Sequence, residues 1–203
     1  FAALIIIFVQ IQSKLTFFKP SLRQKIVSGM FVFVSLFSAF QIVYGYVLHP
    51  YHLPTSLLAQ SYEVENVQRL EGIKLDLETK RFYENLSNTL VERSSFKYGD
   101  YILGLYDMPG IVYAIGGTSP CVTYFIGRDS SLDTVCELIN VTQIRLDSPI
   151  ILTNTEIDND NCLSELNIHY LEDYQLVEKL KVPYSYMVER GQGELSVFVP
   201  VTD

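Results

Sequence analysis

The most pronounced pattern along the chain is a run of 22 positions without a charged side chain, residues 27–48 (VSGMFVFVSLFSAFQIVYGYVL). At about 1.5 Å rise per residue it makes a helix of about 33 Å, enough to cross the hydrocarbon core of a bilayer. Downstream the pattern is that of a water-facing layered domain. Residues 77–93 place Phe82, Leu86 and Leu90 on one helical stripe, with Asp76 positioned as the N-cap. Residues 101–106 (YILGLY) are nearly all apolar, which predicts a central strand covered on both faces, and residues 149–152 predict a second buried strand. A short extended piece is expected within 67–75, with short helices at 132–139, 160–166 and 174–180. Two β-rich runs follow at 184–188 and 195–201. Strands alternating with short helices predict an α/β fold: a membrane helix followed by a layered domain with a mostly parallel sheet and short flanking helices.

Charge gives this pattern a direction. Lys14, Lys19, Arg23 and Lys25 precede the uncharged run, no acid occurs before residue 49, and no further Lys or Arg appears until Arg69. Basic residues in a short loop mark the cytoplasmic side. The expected organisation is a truncated membrane helix at 1–12, a cytoplasmic loop at 13–26, a transmembrane helix at 27–48 and an exported α/β domain at 49–203. The apolar residues 1–11 have their basic residues after them rather than before, unlike a signal peptide. Tyr44, Tyr46 and Tyr51 suit the interfacial level. Beyond residue 48 the chain holds 11 basic and 23 acidic residues. Such a domain is a poor binder of nucleic acid or anionic lipid through its surface field, so no nucleic-acid partner is expected.

Candidate chemistry is sparse. Cys121, Cys136 and Cys162 all fall in the exported part, where one disulfide can form among them and one thiol is left over; the spacing does not say which pair. No CxxC or paired histidine accompanies them, and neither GxSxG nor HExxH occurs, so no metal ligand and no catalytic residue is assigned. Asp158, Asp160 and Glu165 lack the spacing of a calcium loop. Gly116 and Gly117 are followed by neither Lys-Ser/Thr nor a GxGxxG pattern, so no nucleotide cofactor, and no other, is expected. One segment reads as a ligand or partner loop: Asp107, Pro109, Gly110, Tyr113, Gly116 and Gly117, after the first buried strand. Ligands of open α/β sheets gather beyond strand carboxyl ends, where Asp107 falls. Asp107 either faces a ligand or caps the Pro-Gly turn that follows it.

A last membrane helix followed by an exported domain, together with residues 109–120 (PGIVYAIGGTSP), resembles the C-terminal end of bacterial GT-C class glycosyltransferases. These polytopic membrane proteins are protein mannosyltransferase-like and use lipid-linked sugars. The resemblance implies an exported accessory domain of a multi-spanning membrane glycosyltransferase of the bacterial inner membrane. The family's catalytic carboxylate lies in an earlier exported loop outside these residues. The implied partners are the membrane and, through the parent protein, a lipid-linked sugar and its acceptor. The alternative is a non-enzymatic, membrane-anchored interaction module of the envelope.

Overall fold

The computed structural model describes residues 19–48, 55–105, 108–120, 132–142, 146–154, 156–157, 162–170, 172–184, 187–188, 191 and 193–201. Asp107, Cys121, Asp158 and Asp160, singled out above, lie outside these residues. The chain divides into two units, Phe1–Tyr51 and His52–Asp203.

In the first unit, helix α1 spans Pro20–Val43 and runs on into a π-helical turn, Tyr44–Leu48. Pro20 sits at the first helical position, where its missing N–H costs nothing. The helix therefore begins inside the segment read as a cytoplasmic loop. Pro20–Leu48 is 29 residues long and contains an 18-residue stretch of mean hydropathy 2.1, apolar enough to span a membrane. Its Phe31, Phe33, Phe37 and Phe40 are exposed.

The second unit is built on a four-stranded sheet. In chain order it contains β1 (Tyr62–Glu63), β2 (Lys74–Leu75), α2 (Leu77–Arg93), β3 (Ile102–Leu105), α3 (Pro109–Ala114), α4 (Leu132–Thr142), β4 (Ile150–Thr153), β5 (Tyr174–Lys181) and β6 (Glu194–Pro200). Strands β1 and β2 form a small antiparallel pair, and the main sheet has the order β3-β4-β6-β5. Helix α2 has the predicted bounds, and the Asp76 carboxylate caps it by accepting from the N–H groups of Glu78 and Thr79.

Apolar residues on both faces of the strands bury the sheet twice. Ile102, Ile150, Leu152 and Val197 join Leu86 and Leu90 of α2 and Ile111 and Val112 of α3 in one core. Leu103, Leu105 and Ile151 point the other way, to Ile139 of α4 and to Leu163 in a 3-10 turn, Cys162–Leu166. Alternation of side chains along a strand makes the near-continuous apolar runs serve two cores. A disulfide joins Cys136 of α4 to Cys162, with Cα atoms 6.0 Å apart, and so ties together the two elements over the second core.

Four expectations are corrected. The sheet is mixed rather than mostly parallel: β3–β4 is parallel, while β4–β6 and β5–β6 are antiparallel. The helical connection from β3 to β4 enforces a parallel pair, but β6 enters between β4 and β5, a placement no local pattern encodes. Strand β3 is doubly covered yet lies at the sheet's edge, flanked only by a bridge from Tyr101 to Thr118 among the described residues. Residues 174–180 are strand rather than helix. A bulge between Leu176 and Glu178 lets both Val177 and Leu180 pack on the first core, three positions apart, which imitates helical spacing. Finally, the described residues of the run 184–188 are not strand: the N–H groups of Met187 and Val188 both bond back to the Tyr184 carbonyl.

Candidate functional site

The segment after β3 is built as a packing unit. Pro109 and Gly110 do not make a turn; they open α3, with Pro109 at the first position, where its fixed φ suits a helix. Met108, Ile111, Val112 and Ala114 are buried on the first core. After α3 the chain comes back alongside the start of β3. Gly116 accepts from the Gly99 N–H at 2.9 Å, and Thr118 accepts from the Ile102 N–H at 3.0 Å. Gly116 and Gly117 are thus beside the amino end of β3 rather than gathered beyond its carboxyl end.

Each of these glycines has a steric reason. A Cβ on Gly117 would come within 2.5 Å of the Ile102 side chain, and one on Gly104 within 2.7 Å of Val112, so α3 can approach β3 only over glycine. Gly116 has φ +89° and a Cβ there would strike the Tyr98 ring at 2.6 Å. Gly110 differs: it has no positive φ, and nothing lies within 4 Å of its Cβ position.

Tyr113, on the outer side of α3, is the member of the predicted loop that reaches a chemically distinctive neighbour. The Arg69 guanidinium lies 4.1 Å from the centroid of the Tyr113 ring and 5.0 Å from that of Tyr98. Its Nε–H donates to the Tyr98 hydroxyl at 2.7 Å. Three distant pieces of chain converge here: the 3-10 turn Gln68–Leu70, the turn before β3, and α3. Gly116 admits Tyr98, and Tyr98 holds Arg69. Both rings are more than half exposed and Arg69 is half-buried.

The electrostatics of this cluster follow from what is absent around the guanidinium. Ion pairs between described residues join Lys80 to Glu65 and to Glu84; none involves Arg69. A guanidinium carries five N–H donors, and the hydrogen bond to Tyr98 uses one. The two π-faces stabilise its charge and fix its plane without neutralising it. What remains is a partly desolvated fork of donors of the geometry that takes a carboxylate or phosphate in a bidentate pair. The sequence reading used Arg69 only as a marker of membrane topology and did not single out Tyr98.

A separate open groove of about 850 Å³ lies at the amino ends of β3 and β4, lined among others by Ser94, Phe96, Asp100, Tyr101, Ser148 and Gln175. Its Asp100 carboxylate is engaged by the Lys97 N–H at 2.7 Å, closing a turn. Its described lining places the carboxylates of Glu92, Asp100 and Asp147 among the hydroxyls of Ser94, Ser95, Tyr101 and Ser148. Among the described residues no three His, Cys, Asp or Glu side chains assemble into a metal-binding group. Comparison with known proteins finds no matching family model, no matching characterised protein and no matching solved structure.

Proposed function

We propose that this chain is a membrane-anchored, exported binding module whose domain recognises a single carboxylate or phosphate group through Arg69, framed by Tyr98 and Tyr113. The observation that carries the reading is the Arg69 cluster: a guanidinium oriented by two exposed rings and one hydrogen bond, with no acid paired to it among the described residues. The disulfide between Cys136 and Cys162 supports an oxidising compartment, and the apolar helix Pro20–Leu48 supports the anchor.

The acidity of the domain narrows the ligand. With 23 acidic and 11 basic residues beyond residue 48, a polyanion is repelled at long range. One anionic group on an otherwise neutral saccharide or peptide avoids that penalty, because salt screens charges beyond about 8–10 Å. The exposed Tyr98 and Tyr113 rings offer apolar faces to the neutral part of such a ligand. An accessory domain of a polytopic glycosyltransferase would be the same module within a larger protein, the anionic group then belonging to the lipid-linked sugar or its acceptor.

The test is calorimetric titration of the full chain in nanodiscs with a neutral oligosaccharide capped by one uronic acid, a sugar phosphate and the fully neutral saccharide. The acidic probes should bind and the neutral one should not. Arg69→Gln should abolish binding, and Arg69→Lys should weaken it by about tenfold, since a point charge lacks the planar fork. Equal binding by wild type and Arg69→Gln, with both folded by circular dichroism, would show that Arg69 is only a clamp between segments.

A further inference from the structure

The domain also presents an apolar surface that the Arg69 site does not use. Leu57 and Leu58, in a 3-10 turn Leu57–Ala59, are 43% and 75% exposed; Tyr62 of β1 and Ile73, beside β2, are 46% and 44% exposed. The leucines are not on a loose arm. Gln60, directly after the turn, accepts from the Asp76 N–H at 2.8 Å and donates to the Asp76 carboxylate at 3.4 Å and to Thr55 at 2.9 Å. Its grip ties the turn to the capped start of α2 with Leu57 and Leu58 exposed.

Chain length limits what can cover them. The apolar helix ends at Leu48, and nine residues later the chain is at Leu57. At about 3.3–3.6 Å per residue they reach at most about 32 Å, so the turn is confined to the neighbourhood of the bilayer surface. Tyr44 and Tyr46, exposed at the end of that helix, are side chains of the interfacial type. Residues 55–75 carry three acids, Glu63, Glu65 and Glu71, against Arg69 and Lys74, a net charge of −1, so attraction to anionic lipid is not the cause. The contact must be apolar.

We infer that Leu57 and Leu58, with the exposed Tyr62 and Ile73 of the same segment, dock on the headgroup–acyl boundary of the bilayer that Pro20–Leu48 crosses, and hold the domain in one orientation on it. The inference rests on the membrane anchor proposed above and is independent of the Arg69 site. Orientation follows because the patch belongs to the segment packed on the first core, through Val64, Val67 and Leu75. Helix α4 covers the opposite face of the sheet.

The chain contains no tryptophan, so a single introduced Trp reports its own surroundings. Leu58→Trp, Val141→Trp on α4 (73% exposed) and Phe37→Trp within α1 are each placed in the full chain in neutral phosphatidylcholine vesicles. Lipid brominated just below the headgroup should quench Leu58→Trp about twofold or more, for a side chain about 5–10 Å into the boundary, and leave Val141→Trp unquenched. Raising the salt concentration should not relieve the quenching. Phe37→Trp should be quenched by lipid brominated deep in the chain. An unquenched Leu58→Trp beside a quenched Phe37→Trp overturns the docking and leaves the anchor standing. An unquenched Phe37→Trp overturns both. Equal quenching of Leu58→Trp and Val141→Trp overturns the single orientation.

Discussion

Replacing Asp76 by alanine tests how the start of the domain is held. Asp76 is 4% exposed, and its two oxygens serve different partners. Oδ1 accepts from the N–H groups of Glu78 and Thr79 at 3.1 and 3.0 Å, and Oδ2 accepts from the Thr79 hydroxyl at 2.8 Å and the Gln60 amide at 3.4 Å. Removing an N-cap oxygen costs about 1 kcal/mol, and depriving the buried Thr79 hydroxyl of its acceptor adds about 1–3 kcal/mol. Asp76→Ala should therefore destabilise the domain by about 2–4 kcal/mol. Asp76→Asn keeps the cap oxygen and offers Thr79 a donor it can accept from, so its cost should be about 1 kcal/mol.

Acidity separates the two variants further. Burial by itself would raise the Asp76 pKa, but the hydrogen bonds from Thr79, Gln60 and Glu78 together outweigh it and leave the value below the usual 3.8. A carboxyl with a depressed folded-state pKa contributes stability that is complete above about 3.8 and is lost as pH falls through the folded value. Asp76→Asn should lack that component, so the gap between it and wild type should narrow below about pH 3.8. The assay is urea unfolding of the full chain in detergent, followed by near-ultraviolet circular dichroism at pH 7 and across the acid range. An Asp76→Ala cost under about 0.5 kcal/mol, or a gap that widens in acid, would refute the account of the cap.

Other consequences can be checked in the same preparation. Gly117→Ala drives a methyl into Ile102 and should cost about 1–3 kcal/mol, whereas Gly110→Ala, in a helix with open space at its Cβ position, should be neutral or stabilise by up to about 1 kcal/mol in the same urea titration. Cys136→Ala with Cys162→Ala opens a loop of 26 residues and should lower stability by about 3.5 kcal/mol on the chain-entropy relation. In cells, those two cysteines should resist alkylation until a reductant is added; ready labelling without reductant would contradict an exported domain.

What could be read from the sequence is what local chemistry decides. Helix α2 was legible to the residue because Asp76, the stripe of Phe82, Leu86 and Leu90, and the polar end after Arg93 all lie within one stretch. The runs that became β3 and β4 were legible as doubly buried strands for the same reason. Their neighbours were not. That β3 ends at an edge, and that β6 pairs with both β4 and β5, depends on contacts between residues far apart in sequence. Strand β5 misled because a bulge replaced the period of two with a spacing of three, and its Glu and Lys residues favour a helix until a partner strand is present.

The candidate site was half legible, for a physical reason that its residues make plain. Gly116 and Gly117 attracted a ligand reading because paired glycines mark places where something approaches the backbone closely. What approaches Gly117 is the Ile102 side chain, and what approaches Gly116 is the ring of Tyr98. A glycine signals proximity without saying whether the neighbour is a ligand or the protein itself. The arginine–tyrosine cluster is one step removed: Gly116 seats Tyr98, Tyr98 fixes Arg69, and Tyr113 shares the guanidinium from α3. Arg69 and Tyr98 are 29 residues apart and bracket the whole of α2, so no window of helical or strand length contains both. Arg69 is the first cation after a stretch that begins beyond Lys25, in a domain dominated by acids, a feature read only for topology. A lone cation in such a field would be expected to pair with one of the surrounding carboxylates. Two tyrosine rings hold this one instead, and among the described residues no ion pair engages it.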